Sequence, residues 1–150
     1  MAVTQQLVRL PPDLLQRCRD DAGALGDLVS FMLAPEDCYL DLDWAPSELQ
    51  AMAREAGDSA AEGALHLSCA GARLVNPRFP KFEVYELPME LDAGEVRSTS
   101  EAFATVDFEA LLRKAKRTGG ADDLRRRFMA LRHFYRAAAA ANQAVVVWWD

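Results

Sequence analysis

Four carboxylates fall within a short stretch of this chain, Glu36, Asp37, Asp41 and Asp43, and Trp44 follows them directly. Carboxylate oxygens are the ligands that Ca²⁺ and Mg²⁺ take, and an Asp pair at i, i+2 shares one face of an extended chain. The stretch lacks the glycine turn and distal glutamate of an EF-hand loop. Metal binding is therefore the poorer reading. A solvated loop anchored by Leu40, Leu42 and Trp44 is the plain one. A contact surface for a partner ranks above a metal site, because a charged loop beside a tryptophan offers both charge and apolar area.

His66, Ser68 and Cys69 form a second candidate. A thiolate needs a neighbouring base or a positive field to act as a nucleophile. His66 and Cys69 share a face on a helix and oppose each other on a strand. Neither a GxSxG elbow nor a cysteine-protease signature surrounds them, so a buried thiol and a hydrogen-bonded histidine are the expectation. The second histidine, His133, lies off the apolar stripe of its helix, and two histidines leave little for a zinc site. Gly119 and Gly120 follow a helical run and precede no Lys-Ser/Thr, so they read as a turn and not as a phosphate loop. No cofactor and no metal is expected, and no catalytic residue stands out.

The third candidate is electrostatic. Residues 1–112 carry 8 basic and 20 acidic side chains, whereas residues 113–150 carry 9 basic and 3 acidic. On the long helix near the C-terminal end, Arg125, Arg132 and Arg136 share a flank at spacings of seven and four. Such a stripe suits phosphates or an acidic protein. The net charge of −6 argues against nucleic acid, since the acidic part would repel a polyanion. Pairing of these arginines with the chain's own surplus carboxylates is favoured.

The frame that must position these groups is a single domain by length, 150 residues with 51% apolar and 27% charged. Three widely spaced cysteines, Cys18, Cys38 and Cys69, make no disulfide framework and read as reduced core residues. Met1 to Leu10 lacks the basic start and apolar run of a signal peptide, and no window reaches the ~20 apolar residues of a membrane span. A cytoplasmic location is expected, without membrane contact.

The elements follow from spacing. Val3 to Leu10 reads as a strand stopped by Pro11 and Pro12, and Pro12 opens a short helix presenting Leu14, Leu15 and Cys18. Further helices are expected over Asp27 to Leu33 and Pro46 to Ala56, with the acidic loop Pro35 to Trp44 between them. Gly57 to Gly63 reads as a loop, and Ala64 to Ala70 suits either strand or helix. Phe82 to Leu87 alternates like a strand closed by Pro88. Ser98 and Glu101 have capping-box spacing for a short helix to about Thr105, and Asp107 is placed to cap the next. In the last helix, from Asp122 to about Ala141, Leu124, Phe128, Leu131, Tyr135 and Ala138 form one stripe. Val145 to Trp149 is a β-branched and aromatic run, hence a buried strand. The fold expected is α+β: a mixed or antiparallel sheet including the first and last strands, packed by about five helices.

Several of these stretches together resemble the YfbM-like family of bacterial domains of unknown function. They are the strand and Pro-started helix of Val8 to Leu15, and the Leu-Asp-Leu-Asp-Trp run of Leu40 to Trp44. The Ser98 to Glu101 start followed by Asp107 to Leu111, and the closing helix and strand of Phe134 to Trp149, complete the set. The lysine usual after the second aspartate is absent here, since Trp44 follows Asp43. The resemblance implies an α+β fold and no particular activity.

Together these readings point to a non-enzymatic module that binds another protein. Its contact residues would be Glu36, Asp37, Asp41, Asp43 and Trp44 with the flank Arg125, Arg132 and Arg136. One version is an immunity or inhibitor protein that offers carboxylates to a basic toxin. The alternative is a small enzyme or ligand-binding domain with a pocket near His66, Tyr85 or the acidic loop. A partly apolar cavity with convergent polar groups would mark that alternative.

Overall fold

The computed structural model describes residues 3–150, so Met1 and Ala2, part of the segment read as lacking a leader pattern, lie outside the described residues. The last strand organises the rest. β-Branched and aromatic side chains over Ala144–Trp149 suit a pleated strand buried on both faces. It pairs antiparallel with β1, Gln5–Leu10, in a register that sets Leu7 opposite Val147 and Gln5 opposite Trp149. On the far side of β1 lies Tyr39–Asp43, here β2. On the other side of the last strand lie Glu86–Leu91 and then Arg73–Leu74. Numbered along the chain, with Arg73–Leu74 as β3, Glu86–Leu91 as β4 and Ala144–Trp149 as β5, the sheet order is β2-β1-β5-β4-β3. Every pairing is antiparallel.

Helices cover both faces. Val8, Leu10, Val146 and Trp148 pack on α1, Pro12–Asp20, and α2, Ala22–Val29. Leu7, Val145 and Val147 face the opposite layer of α3, Ala45–Glu55, α4, Ser59–Ala70, α5, Ala93–Thr105, α6, Phe108–Lys114, and α7, Ala121–Ala140. The α7 stripe read from spacing is buried at each of its five positions, Leu124, Phe128, Leu131, Tyr135 and Ala138. Each large apolar side chain so buried contributes about 1.5–3 kcal/mol. The architecture is α+β, as expected, with an antiparallel sheet that includes the first and last strands.

Several boundaries depart from the pattern reading, each for a local reason. The described residues hold seven α-helices, not about five. The helix expected over Asp27 to Leu33 starts earlier, because Asp21 caps it by accepting from the Gly23 N–H at 2.8 Å. It ends before Phe31, whose φ of 62° is left-handed. The supposed loop Pro35 to Trp44 is a 3-10 turn, Glu36–Cys38, followed by β2. Alternation explains this: Leu42 goes into the core and Asp41 into solvent. The supposed loop Gly57 to Gly63 contains the start of α4, where the Asp58 carboxylate accepts from Ala61 N–H at 3.0 Å. Ala64 to Ala70 is accordingly helix.

Phe82 to Leu87 is mostly not strand. Lys81–Glu83 is a 3-10 turn, and β4 begins at Glu86 and runs through Pro88. A bulge between Glu86 and Met89 lets the sheet tolerate that proline. The capping box of α5 is Asp92 with Glu95, not Ser98 with Glu101. Ser98 lies inside the helix, its hydroxyl donating to the Gly94 carbonyl.

Candidate functional site

The acidic residues spread along one edge of the sheet. Glu36 and Asp37 are exposed on the 3-10 turn, and Asp37 stands 3.9 Å from Arg9. On β2 the Asp41 carboxylate accepts from the Asp43 N–H at 2.8 Å, and Asp43 lies 3.6 Å from Arg127 of α7. Among the described residues no three His, Cys, Asp or Glu side chains are grouped to hold a metal ion. Trp44 is half exposed, and its ring centre is 6.0 Å from that of Trp149 on β5.

Of the arginine flank, Arg125 alone meets carboxylates of the chain itself among the described residues. Arg125 donates to Glu109 and to Asp122, each at 2.5 Å, and its guanidinium lies over the Phe108 ring. That contact holds the Glu109 carboxyl below its usual range. Arg132 donates to the Ala104 carbonyl, and Arg136 meets His133 at 3.2 Å. Arg117 binds Glu48 at 2.7 Å and Glu55 at 2.8 Å, so basic charge from the last part of the chain answers acidic charge from the first. These exposed pairs contribute little to stability individually.

α4 brings His66, Ser68 and Cys69 together without making a nucleophile. Burial pushes the Cys69 thiol up to about 12, which disfavours the thiolate at neutral pH. The Ser68 hydroxyl donates to the Leu65 carbonyl at 2.8 Å. His66 is exposed, with Nδ1 3.4 Å from Gln50 Oε1 on α3. Cys18 and Cys38 are likewise buried free thiols.

His66 does, however, face a cleft. A concave site of about 600 Å³ opens between α3, α4 and one end of the sheet. α4 supplies His66, Cys69 and Ala70, and α3 supplies Gln50. The sheet floor offers Gln5, Met89, Val147 and Trp149, and the segment between β3 and β4 brings Lys81 and Tyr85, with Glu86 beside them. Its volume lies within the range of small-molecule sites, and its mouth is open, with Tyr85 largely exposed. Trp44, through Trp149, touches the wall of the same cleft. The structure thus brings His66 and Tyr85 together, while the aspartates and the arginines lie elsewhere.

Gln5 is the residue that sequence reasoning missed. It is 1% exposed, and its amide N–H donates to the Cys69 carbonyl at the end of α4. Its Oε1 has no hydrogen-bond partner. The amide cannot be flipped, since that would set oxygen against oxygen. The sequence offered no signal for it, since Gln5 sits between Thr4 and Gln6 at the polar start of the strand. Lys81, Glu86 and Trp149 carried none, because only the fold brings them to α4.

A three-layer α+β domain with a fully antiparallel sheet and a cleft at one sheet end is the class these features define. Among solved structures the chain is similar to YfbM from Escherichia coli, a protein of unknown function. The TM-score is 0.63 at 13% identity, covering 98% of this chain and 99% of that one. The fold is therefore YfbM-like. No family model matches the chain, and no curated protein does. No helix of the described residues is long and apolar enough to cross a membrane.

Proposed function

We propose that this chain is a binding module whose working site is the cleft between α4, the end of the sheet and Tyr85, and that it takes a small organic ligand there. One observation carries the reading: a cleft of about 600 Å³ gathers His66, Gln50, Lys81 and Tyr85 around an apolar floor of Met89, Val147 and Trp149. Binding is favoured over catalysis because the one thiol in the cleft stays protonated and the nearby hydroxyl of Ser68 is tied to backbone. Crystals soaked with a mixed fragment library test it. Fragments lodged between His66 and Trp149 are expected, and fragments found only on other surfaces would remove the reading.

A second reading has its own support. Glu36, Asp37 and Asp41 stand exposed along the outer edge of the sheet, near half-exposed Trp44. That edge suits a basic protein partner, including the inhibitor version in which carboxylates cover a basic toxin. Arg125 and Arg136 contribute less to this reading, being engaged with Glu109, Asp122 and His133. A low-salt pull-down that recovers a basic protein with the native chain, and loses it when Asp37 and Asp41 become lysine, supports it. Equal recovery by both counts against it.

A further inference from the structure

Resting on the second reading above, that the partner is a basic protein, we infer that the turn closing α2 is its contact surface. Phe31 and Met32 form the apolar centre, and the partner meets them with apolar side chains set among lysines and arginines.

The turn is built to hold these side chains in place. The Met32 N–H donates to the Asp27 carbonyl at 2.9 Å, and the Phe31 N–H to the Leu28 carbonyl at 3.1 Å. That pair of bonds ends a helix on a left-handed residue, a position where glycine is the usual choice. Here the residue is Phe31, with φ 62°. Its ring centre lies 5.0 Å from that of Tyr39 and 5.9 Å from that of Trp148. Tyr39 also pins the chain on both sides of the turn. Its hydroxyl donates to the Leu28 carbonyl at 3.0 Å and accepts from the Ala34 N–H at 3.3 Å. Phe31 nevertheless remains 46% exposed and Met32 71% exposed. A ring already held by two others loses little freedom when a partner covers it, which favours binding.

Charge selects the partner. Asp27 stands in the last turn of α2, and Glu36 and Asp37 stand on the 3-10 turn that leads into Tyr39; all three are exposed. Glu83 approaches the same helix, since a Cβ added at Gly26 would lie 3.5 Å from its Oε2. Of these four carboxylates only Asp37 has an ion-pair partner among the described residues, Arg9 at 3.9 Å. Lys81 shares the turn of Glu83 but lines the cleft. Asp27 sits at the negative end of a helix dipole, where an incoming cation is favoured twice over. An acidic partner is repelled from this rim and a basic one is steered to it, while the two apolar side chains supply the anchor.

Selection of random peptides displayed on phage against the native chain tests this, followed by calorimetry with synthetic copies of the enriched sequences. Enriched peptides are expected to combine several Lys or Arg with Leu or aromatic residues. Met32→Ser, at an exposed position, should weaken such a peptide about tenfold, the loss of one anchoring side chain. Asp27→Lys combined with Glu36→Lys should weaken it severalfold at low salt and flatten the dependence of affinity on salt. Peptides that are acidic or carry no basic residue overturn the inference, as does the absence of any enriched sequence, and the basic-partner reading falls with it. Unchanged affinity for Met32→Ser, or for the charge-reversed double variant, overturns the inference alone. In that case, loss of the same peptide on Asp37→Lys combined with Asp41→Lys leaves the sheet-edge reading standing.

Discussion

Cys69 ends α4 with its thiol pushed up to about 12 by burial, and burial likewise lifts Cys18 to about 11. Burial also drives the Tyr135 phenol well above its ordinary value. Native protein should therefore be inert to a disulfide reagent at neutral pH and show three reactive thiols after denaturation; rapid native labelling of Cys69 would contradict its burial. The pH dependence has a definite sign. In the unfolded chain a thiol titrates near ~8.5 and a phenol near ~10, below their folded values. The unfolded state thus releases protons first, so stability is fully present below about pH 8 and falls as pH rises through the alkaline range. For Cys69 the slope approaches about 1.4 kcal/mol per pH unit. Urea midpoints measured from neutral to alkaline pH check this; a rise over that window contradicts it. Tyr135→Phe should cost about 1–3 kcal/mol in the same assay, because the Ser68 carbonyl at the end of α4 loses its donor. His66 and Tyr85 were legible as pocket residues from their types alone. Gln5 was not, because its meaning lies in a contact with a residue 64 positions away.

At the scale of elements, the turn after α4 is the tightest joint. Gly71 has a φ of 71°, and an added Cβ would lie 2.5 Å from Met89 Cβ and 3.2 Å from the Glu90 nitrogen. Gly71→Ala should therefore cost at least about 2 kcal/mol, from left-handed strain and from displacement of β4. Gly57 has nearly the same φ, 70°, but nothing within 4 Å, so Gly57→Ala should cost only about 1 kcal/mol. Equal losses in thermal unfolding would contradict this account of the joint between α4 and the sheet. The long amphipathic elements were readable in advance: α7 from its stripe and β5 from its β-branched run. The short ones were not. β2 hid in an acidic Leu-Asp-Leu-Asp alternation, α4 began inside a small polar stretch once Asp58 capped it, and β4 passed through Pro88 on a bulge. Each depends on a cap, an edge or a register set by the rest of the sheet, which local pattern does not contain.

At the scale of the whole molecule, part of the charge asymmetry along the chain is folded away. Arg117 reaches Glu48 and Glu55, Arg127 reaches Asp43, and Arg125 is held by Glu109 and Asp122. With a net charge of −6, the protein should pass through a heparin column at low salt; retention that needs salt to elute would show the arginine flank free for phosphates. What remains distinctive is the cleft at one end of the antiparallel sheet, lined by α3, α4, β5 and the segment that carries Lys81 and Tyr85. The most direct test is an amide correlation spectrum of the assigned protein during titration with a mixed fragment library. Shifts concentrated at Gln5, Gln50, His66, Tyr85 and Trp149 are predicted. Shifts confined to the Tyr39–Asp43 edge, with the cleft residues unmoved, would contradict the account.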